Sequence, residues 1–250
     1  MSTTQHLGSR PLPEDGASNF GANGQRDRQF AIAPRAIEQM LDTSINQRLK
    51  MLKIFDFTRG ARGLRAAWLC EEMGVEYEFT PVTFPPQPEY LSINPMGRVP
   101  YLQDGSVGMG ESIAMMLYVA ERFGPTTLLP REPALLARAL EFTIFGEASF
   151  AAHMDVLLAV NFGGAPGGSG GWSETVARNQ LQRSIKHVAT VLADGPLICG
   201  DRFTLADISV ATALYILRGA LDQDLPHLLQ TYLDIVQSRT SYINASRRWS

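Results

Sequence analysis

The sequence predicts an α/β domain over residues 51–124 followed by an all-helical domain over 133–250, with an extension at 1–50 that joins neither. Three observations predict it. Between Met51 and Phe123, short β-type runs alternate with apolar helical runs in the order βαβ, then ββα. From Pro133 onward the strand pattern stops and apolar residues recur at helical spacing. Residues 1–33 are rich in Gly, Ser, Pro, Asn and Arg and carry no sustained apolar period, a composition that cannot offset the entropy of ordering and predicts disorder.

Within the extension, Ile37, Met40, Leu41 and Ile45 sit at helical spacing and suggest a short helix over 34–49. Leu52 to Phe57 reads as a strand, Thr58 to Gly63 as a glycine-containing turn, and Leu64 to Met73 as a helix ended by Gly74. Val75 to Val82 supplies a second strand. Pro85 to Leu91 is a proline-broken connection with room for a short helix. Val99 to Leu102 and Ser106 to Met109 form a hairpin about Asp104-Gly105, and Ser112 to Phe123 is the closing helix. A mixed sheet with helices on its faces follows from that order. After a linker at 124–130, Ala134 to Val160 keeps a helical apolar period. The tract from Asn161 to Gly171 is too rich in glycine for a helix, and Ser173 is the expected N-cap of a helix running to about Leu192. Thr204 and Asp207 have capping-box spacing, with Phe203 placed to staple onto Ile208, at the start of a core helix from Leu205 to Leu217.

Bulk composition excludes several classes of partner. With 22 basic and 25 acidic residues, the net charge of −3 gives no footprint for nucleic acid or an anionic membrane. Cys70 and Cys199 stand alone, which fits a reducing cytosol better than a disulfide scaffold. No apolar run is expected to reach membrane-spanning length, and the first residues lack a basic start with an apolar signal core, so a cytoplasmic protein is expected. His6, His153, His187 and His227 are scattered without ligand spacing, so no metal site is expected.

The informative stretch is Ile93-Asn94-Pro95-Met96-Gly97-Arg98-Val99-Pro100-Tyr101-Leu102, followed by Gly110-Glu111-Ser112. Asn94-Pro95 and Met96-Gly97 are turn dipeptides, and Pro100 cannot donate to a ladder, so Val99 to Leu102 belongs at a sheet edge or at the start of a strand. With a cis bond at Val99-Pro100, the N–H and C=O of Val99 turn outward and stay free for an extended ligand. Glu111-Ser112 opens an apolar helix whose unpaired amides and dipole favour a carboxylate. These are two docking points for a small acidic peptide.

Through these residues, and through Gly200 to Asp207 in the second half, the chain resembles the glutathione S-transferase family in motif order and spacing over roughly four fifths of its length. The resemblance implies a thioredoxin-like α/β domain joined to an all-α domain, and glutathione as co-substrate. Arg98-Val99-Pro100 would be the cis-proline turn and Glu111-Ser112 the γ-glutamyl pocket, with Arg98 near a glycyl carboxylate. The family stabilises the glutathione thiolate with a hydroxyl or thiol in the loop after the first strand. Here that loop holds Thr58, which aligns best with the family's serine, with Arg59 and Arg62 beside it. Thr58, or failing it Arg62 with backbone amides, would lower the thiol pKa. A purely structural alternative has Thr58 capping a helix from near Ala61, Ser112 capping its own helix, Glu111 answering the helix dipole, and Arg98 simply solvated. The implied activity is conjugation of glutathione to a small apolar electrophile by a homodimer. Isomerase and dehalogenase variants share the thiolate step, a thiol reductase would need a loop cysteine that is missing, and a non-catalytic binding protein on the same fold is the alternative. Phe145, Phe150, Met154 and Trp172 are candidates for the electrophile's cleft, although aromatic residues at this spacing equally build core. Cys70 and Cys199 read as inert core thiols.

Overall fold

The computed structural model describes residues 51–58, 60–163 and 170–249 of the chain. The expected extension, its helix at 34–49, Arg59 and most of the glycine tract lie outside them. Strand β1 (Leu52–Phe57) runs through the middle of a four-stranded sheet, parallel to β2 (Tyr77–Val82) and antiparallel to β3 (Tyr101–Asp104), which pairs in turn with β4 (Val107–Met109). The order β2-β1-β3-β4 makes β3 an interior strand. Of the two placements open to the Val99–Leu102 run, the edge is therefore corrected and the strand start holds: Pro100 sits one residue before the ladder begins, where its missing N–H costs nothing.

Helix α1 (Leu64–Met73) ends as read, with Gly74 left-handed at φ 66° and the Val75 amide returning to the Cys70 carbonyl at 2.9 Å. Its N-cap is Gly63 and no side chain caps it, so the idea that Thr58 caps a helix from Ala61 is corrected. A short α2 (Pro88–Ile93) follows β2, and α3 (Ser112–Arg122) closes this half. Ser112 is the first helical residue of α3 and Glu111 its cap, without a side-chain bond, so Ser112 does not cap its own helix.

The second half begins with α4 (Pro133–Phe145), capped by Glu132, whose carboxylate accepts the amides of Ala134 and Leu135 at 3.0 and 2.7 Å. A π-helical turn (Gly146–Ala151) joins α4 to α5 (Ala152–Gly163) without a break. The stretch Pro133–Asn161, 29 residues holding an 18-residue window of mean hydropathy 1.3, is long and apolar enough to cross a membrane by length and composition, which corrects the expectation that no run reaches that length. Its Phe142, Phe150 and Met154 lie in the protein core, and it carries Arg138, Glu141, Glu147 and Asp155. Helix α6 (Trp172–Leu192) is preceded by Gly171, so Ser173 lies inside the first turn; Glu174 instead accepts the Gly170 amide at 2.6 Å. Helix α7 (Leu205–Ala220) opens on the expected capping box, with α8 (His227–Gln237) and α9 (Thr240–Trp249) after it.

Helix α4 packs on α7, and α1 packs on α3, α7 and α9, so one apolar cluster runs from Leu52 in β1 to Trp249 in α9. Gly146 lets this happen at the π-turn: a Cβ there would stand 2.8 Å from the Ser209 carbonyl carbon of α7. Burying large side chains from both halves in one cluster ties the sheet and the helices together at roughly 25 cal/mol per Å² of apolar surface. Phe203 turns to Trp68, with ring centroids 5.6 Å apart, and the Arg239 guanidinium lies 3.9 Å over the Phe203 ring.

Candidate active site

The turn before β3 is tied down from beneath. Asn94, buried at the end of α2, donates from Nδ2 to the Arg98 carbonyl at 2.7 Å, the Tyr90 hydroxyl donates to the same oxygen at 2.5 Å, and the Gly97 amide returns to the Asn94 carbonyl at 2.9 Å. Gly97 takes φ 62°, which suits glycine. The Val99-Pro100 peptide bond is cis. Among the described residues the N–H and C=O of Val99 have no hydrogen-bond partner, so this piece of main chain is free to pair with another chain. The Arg98 side chain is exposed and Pro100 is buried.

Across from it stands Ser112, buried at 4% exposure, whose hydroxyl oxygen accepts a bond from Arg65 Nη1 at 2.9 Å. Arg65 is fully buried within α1 and is the main residue that reading the sequence missed. Its guanidinium also donates to Glu147 in a short ion pair and reaches the carbonyls of Gly146 and Ser209 at 3.5 and 3.4 Å, while Nε has no partner among the described residues. Because that bond uses a lone pair of Ser112, the serine proton is left to point toward a ligand acceptor. Glu111 beside it holds φ 62° and ψ 103°, a conformation that costs a non-glycine residue about 1–3 kcal/mol and that recurs at ligand-binding positions.

Arg62 comes from the turn between β1 and α1. Its Nε donates to Glu147 at 2.7 Å and its Nη2 to both Asp155 oxygens at 2.8 and 3.0 Å. The π-turn sets Glu147 so that its two oxygens receive one arginine each. Burial alone would raise the Glu147 pKa, but the charges and hydrogen bonds of Arg65 and Arg62 outweigh it and hold the carboxyl below its ordinary value. Desolvation pulls Arg62 down, and Glu147 with Asp155 more than reverses it.

These groups line one cleft of about 420 Å³, with Arg62, Arg98, Val99, Pro100, Glu111, Ser112, Glu147 and Asp155 on its walls. Six of the seven residues picked out from the sequence are thus brought together. The seventh, Thr58, is an exposed residue of the turn after β1 and is not among the lining residues; among the described residues the one side-chain hydroxyl on the cleft wall is that of Ser112. The wall from the helical half is acidic. Phe150 and Met154 are buried in the core, Phe145 meets Phe142 and His187, and Trp172 is 80% exposed, so the core reading holds for Phe150 and Met154. A groove of about 600 Å³ lies along Pro125 to Glu132 beside Phe203, but its Arg131, Glu132 and Arg202 are exposed surface residues. Two signals in the sequence pointed to what was missed: a lone arginine among Leu64, Ala66, Ala67 and Trp68, and two acids eight positions apart in an apolar run. Cys70 and Cys199 are buried, and burial pushes both thiols up in pKa, as inert cysteines should be.

The family model described as glutathione S-transferase, N-terminal domain, matches residues 50–121, and that described as glutathione S-transferase, C-terminal domain, matches residues 133–237. The chain belongs to the glutathione S-transferase family. It is similar to Glutathione S-transferase 3 of Zea mays, at 29% identity over 64% of this chain and 75% of that protein. It is also similar to maleylacetoacetate isomerase of Rhizobium meliloti, at 27% identity over 65% of this chain and 79% of that protein. Among solved structures, the theta class glutathione S-transferase of Xanthomonas axonopodis pv. citri with glutathione bound superposes with a TM-score of 0.66 at 25% identity, covering 79% of this chain and 97% of that one. The glutathione S-transferase fold, a thioredoxin-like sheet half joined to a helical half, is the fold described above.

Proposed function

We propose that the protein is a glutathione transferase: glutathione lies along Val99, anchors its γ-glutamyl group at Glu111 and Ser112, and presents its thiolate to a small electrophile. The thiolate attacks the electrophilic carbon, a C–S bond forms, and the leaving group departs with its electron pair. The observation that carries this is the convergence, in one cleft, of the unpartnered Val99 main chain and the Ser112 hydroxyl held as a donor. Membership of the family and relatives named as glutathione transferases support it. A free thiol of pKa about 8.5 is mostly protonated at neutral pH, so the turn after β1 has to stabilise the anion. We assign that to Thr58, or failing it to Arg62 with the main-chain amides of the turn. Arg62 already serves two carboxylates, which lowers the positive potential it offers a sulfur. Arg98, exposed at the rim, is the proposed partner of the glycyl carboxylate.

Retention on immobilised glutathione followed by a chromogenic conjugation assay tests the reading. Binding with turnover is expected, and Thr58→Ala should leave glutathione affinity within about twofold while cutting turnover by about tenfold or more. Unchanged turnover removes Thr58 and leaves Arg62. Binding without turnover on any electrophile favours a non-catalytic glutathione-binding protein, a reading supported by the position of Thr58 off the cleft wall. The likeness to a protein named maleylacetoacetate isomerase supports glutathione-dependent isomerisation as a second activity to assay. We further propose a cytoplasmic homodimer; sedimentation as a monomer at micromolar concentration would contradict the dimer.

A further inference from the structure

Asp56, the last but one residue of β1, is 2% exposed and takes no part in the cleft. Its carboxylate lies directly under the turn that carries Thr58 and Arg62. Oδ1 accepts the Phe57 amide at 2.8 Å, and Oδ2 accepts both the Gly63 amide at 2.9 Å and the indole N–H of Trp249 at 3.1 Å. The turn is wrapped tightly onto this group. A Cβ at Gly60 would stand 2.5 Å from Oδ1, and one at Gly63 would overlap Oδ2, so glycine is required at both points. Gly63 is the N-cap of α1 and has no side chain with which to cap, so the Asp56 carboxylate answers the start of that helix from outside it.

The third donor comes from the far end of the fold. Trp249 is 3% exposed at the end of α9, its ring 4.1 Å from that of Phe79 in β2. Its neighbour Arg248 donates to the Tyr77 carbonyl at 3.2 Å and lies 4.6 Å over the Tyr77 ring. Helix α9 is held at its other end as well, where Arg239 Nε and Nη2 donate to Glu72 at 2.6 and 2.7 Å. The indole is therefore a rigid donor aimed at a carboxylate whose other two bonds define both ends of the turn.

We propose that Asp56 and Trp249 are positioning residues for thiolate formation: helix α9, through the indole N–H, fixes the Asp56 carboxylate, and this in turn sets where the turn between β1 and α1 holds its thiol-stabilising groups. The inference rests on the transferase reading of the cleft. It separates two functions, because Val99, Glu111 and Ser112, which would hold the tripeptide, are anchored by Asn94, Tyr90 and Arg65 and not by Asp56. Loss of the indole N–H should thus reach the sulfur and spare the tripeptide.

The test uses the full-length chain and Trp249→Phe, which keeps an aromatic ring on Phe79 and removes the donor. Glutathione affinity by calorimetry, thiolate absorbance of bound glutathione at neutral pH, kcat and KM in the conjugation assay, and thermal unfolding are measured together. The expected result is affinity and KM for glutathione within about twofold of wild type, a reduced thiolate signal, and kcat lower by roughly 10- to 100-fold. Trp249→His, which restores a ring N–H, should recover part of the lost kcat. A lower unfolding temperature with thiolate signal and kcat unchanged overturns the inference and leaves Trp249 structural. Loss of glutathione affinity equal to the loss of kcat overturns it too. No glutathione binding by the wild type overturns the transferase reading itself, a result distinct from either. If Trp249→Phe does not fold, Asp56→Asn, which keeps one acceptor oxygen, is read by the same measurements against the same outcomes.

Discussion

Replacing Arg65 with Met tests the buried ion cluster behind the cleft. The change removes a short ion pair to Glu147, the 2.9 Å bond to Ser112 and two weaker bonds to the Gly146 and Ser209 carbonyls. Breaking one side of a buried pair usually costs about 3–5 kcal/mol. Here Glu147 keeps Arg62 and a side chain 25% exposed, so part of its charge is rehydrated. The guanidinium also carried an unpartnered Nε whose desolvation cost disappears. The expected net loss is therefore about 2.5–4 kcal/mol, made up of roughly 1.5–3 for the charged bond and about 1 for Ser112. Urea unfolding followed by circular dichroism, with an unchanged slope, measures it. The double variant Arg65→Met/Glu147→Met, which removes both charges, should recover to within about 1.5 kcal/mol of wild type, giving a coupling of opposite sign to the single losses. Glutathione affinity should fall about tenfold in the single variant, because the Ser112 hydroxyl is no longer oriented. A single-variant loss below about 1 kcal/mol, or a double variant as unstable as the sum of its parts, would refute the reasoning.

Asp207→Ala should cost about 3 kcal/mol in the same unfolding assay, since the Ile198 and Thr204 amides and the Tyr232 hydroxyl lose their common buried acceptor. Burial raises the Asp207 pKa from 3.8 to about 6 against the pull of those bonds, so the folded state binds the proton more tightly and this group makes stability fall as pH rises from 4 to 6. Glu147 and Glu72 act the other way: for each, burial is outweighed by arginine, the folded pKa lies below the unfolded one, and stability is lost only as pH falls through that lower value. Stability should therefore rise slightly on acidification below pH 6 and collapse under pH 4, and Asp207→Asn should flatten the upper slope. Gly146→Ala should destabilise by about 1–3 kcal/mol, read as a lowered unfolding temperature, because its Cβ would press on the Ser209 main chain.

What could be read from the chain alone was whatever short-range chemistry writes into neighbouring residues. Gly74 ends α1, Thr204 and Asp207 cap α7, Pro100 precedes β3, and Glu111-Ser112 opens α3, because turns, caps and peptide geometry depend on residues a few positions apart. One wall of the cleft, at Val99, Pro100, Glu111 and Ser112, followed from the same local signals, while Arg62 and Arg98 came from the family resemblance and the acidic wall of Glu147 and Asp155 was not read at all. Ser173 and Ser112 were misplaced by one or two positions as caps because the choice between adjacent capping residues is made by the packing of the helix. Tertiary structure alone decided what those residues can do. Arg65 is a cluster centre only because α1 packs on α3 and α7, which brings Ser112 and Glu147, 47 and 82 residues away, within bonding distance. Asp56 meets Trp249 across 193 residues. Such partners carry no sequence spacing to be recognised by, since a buried charge or carboxylate selects whatever donor the fold delivers to it, and only the packed chain says which one that is.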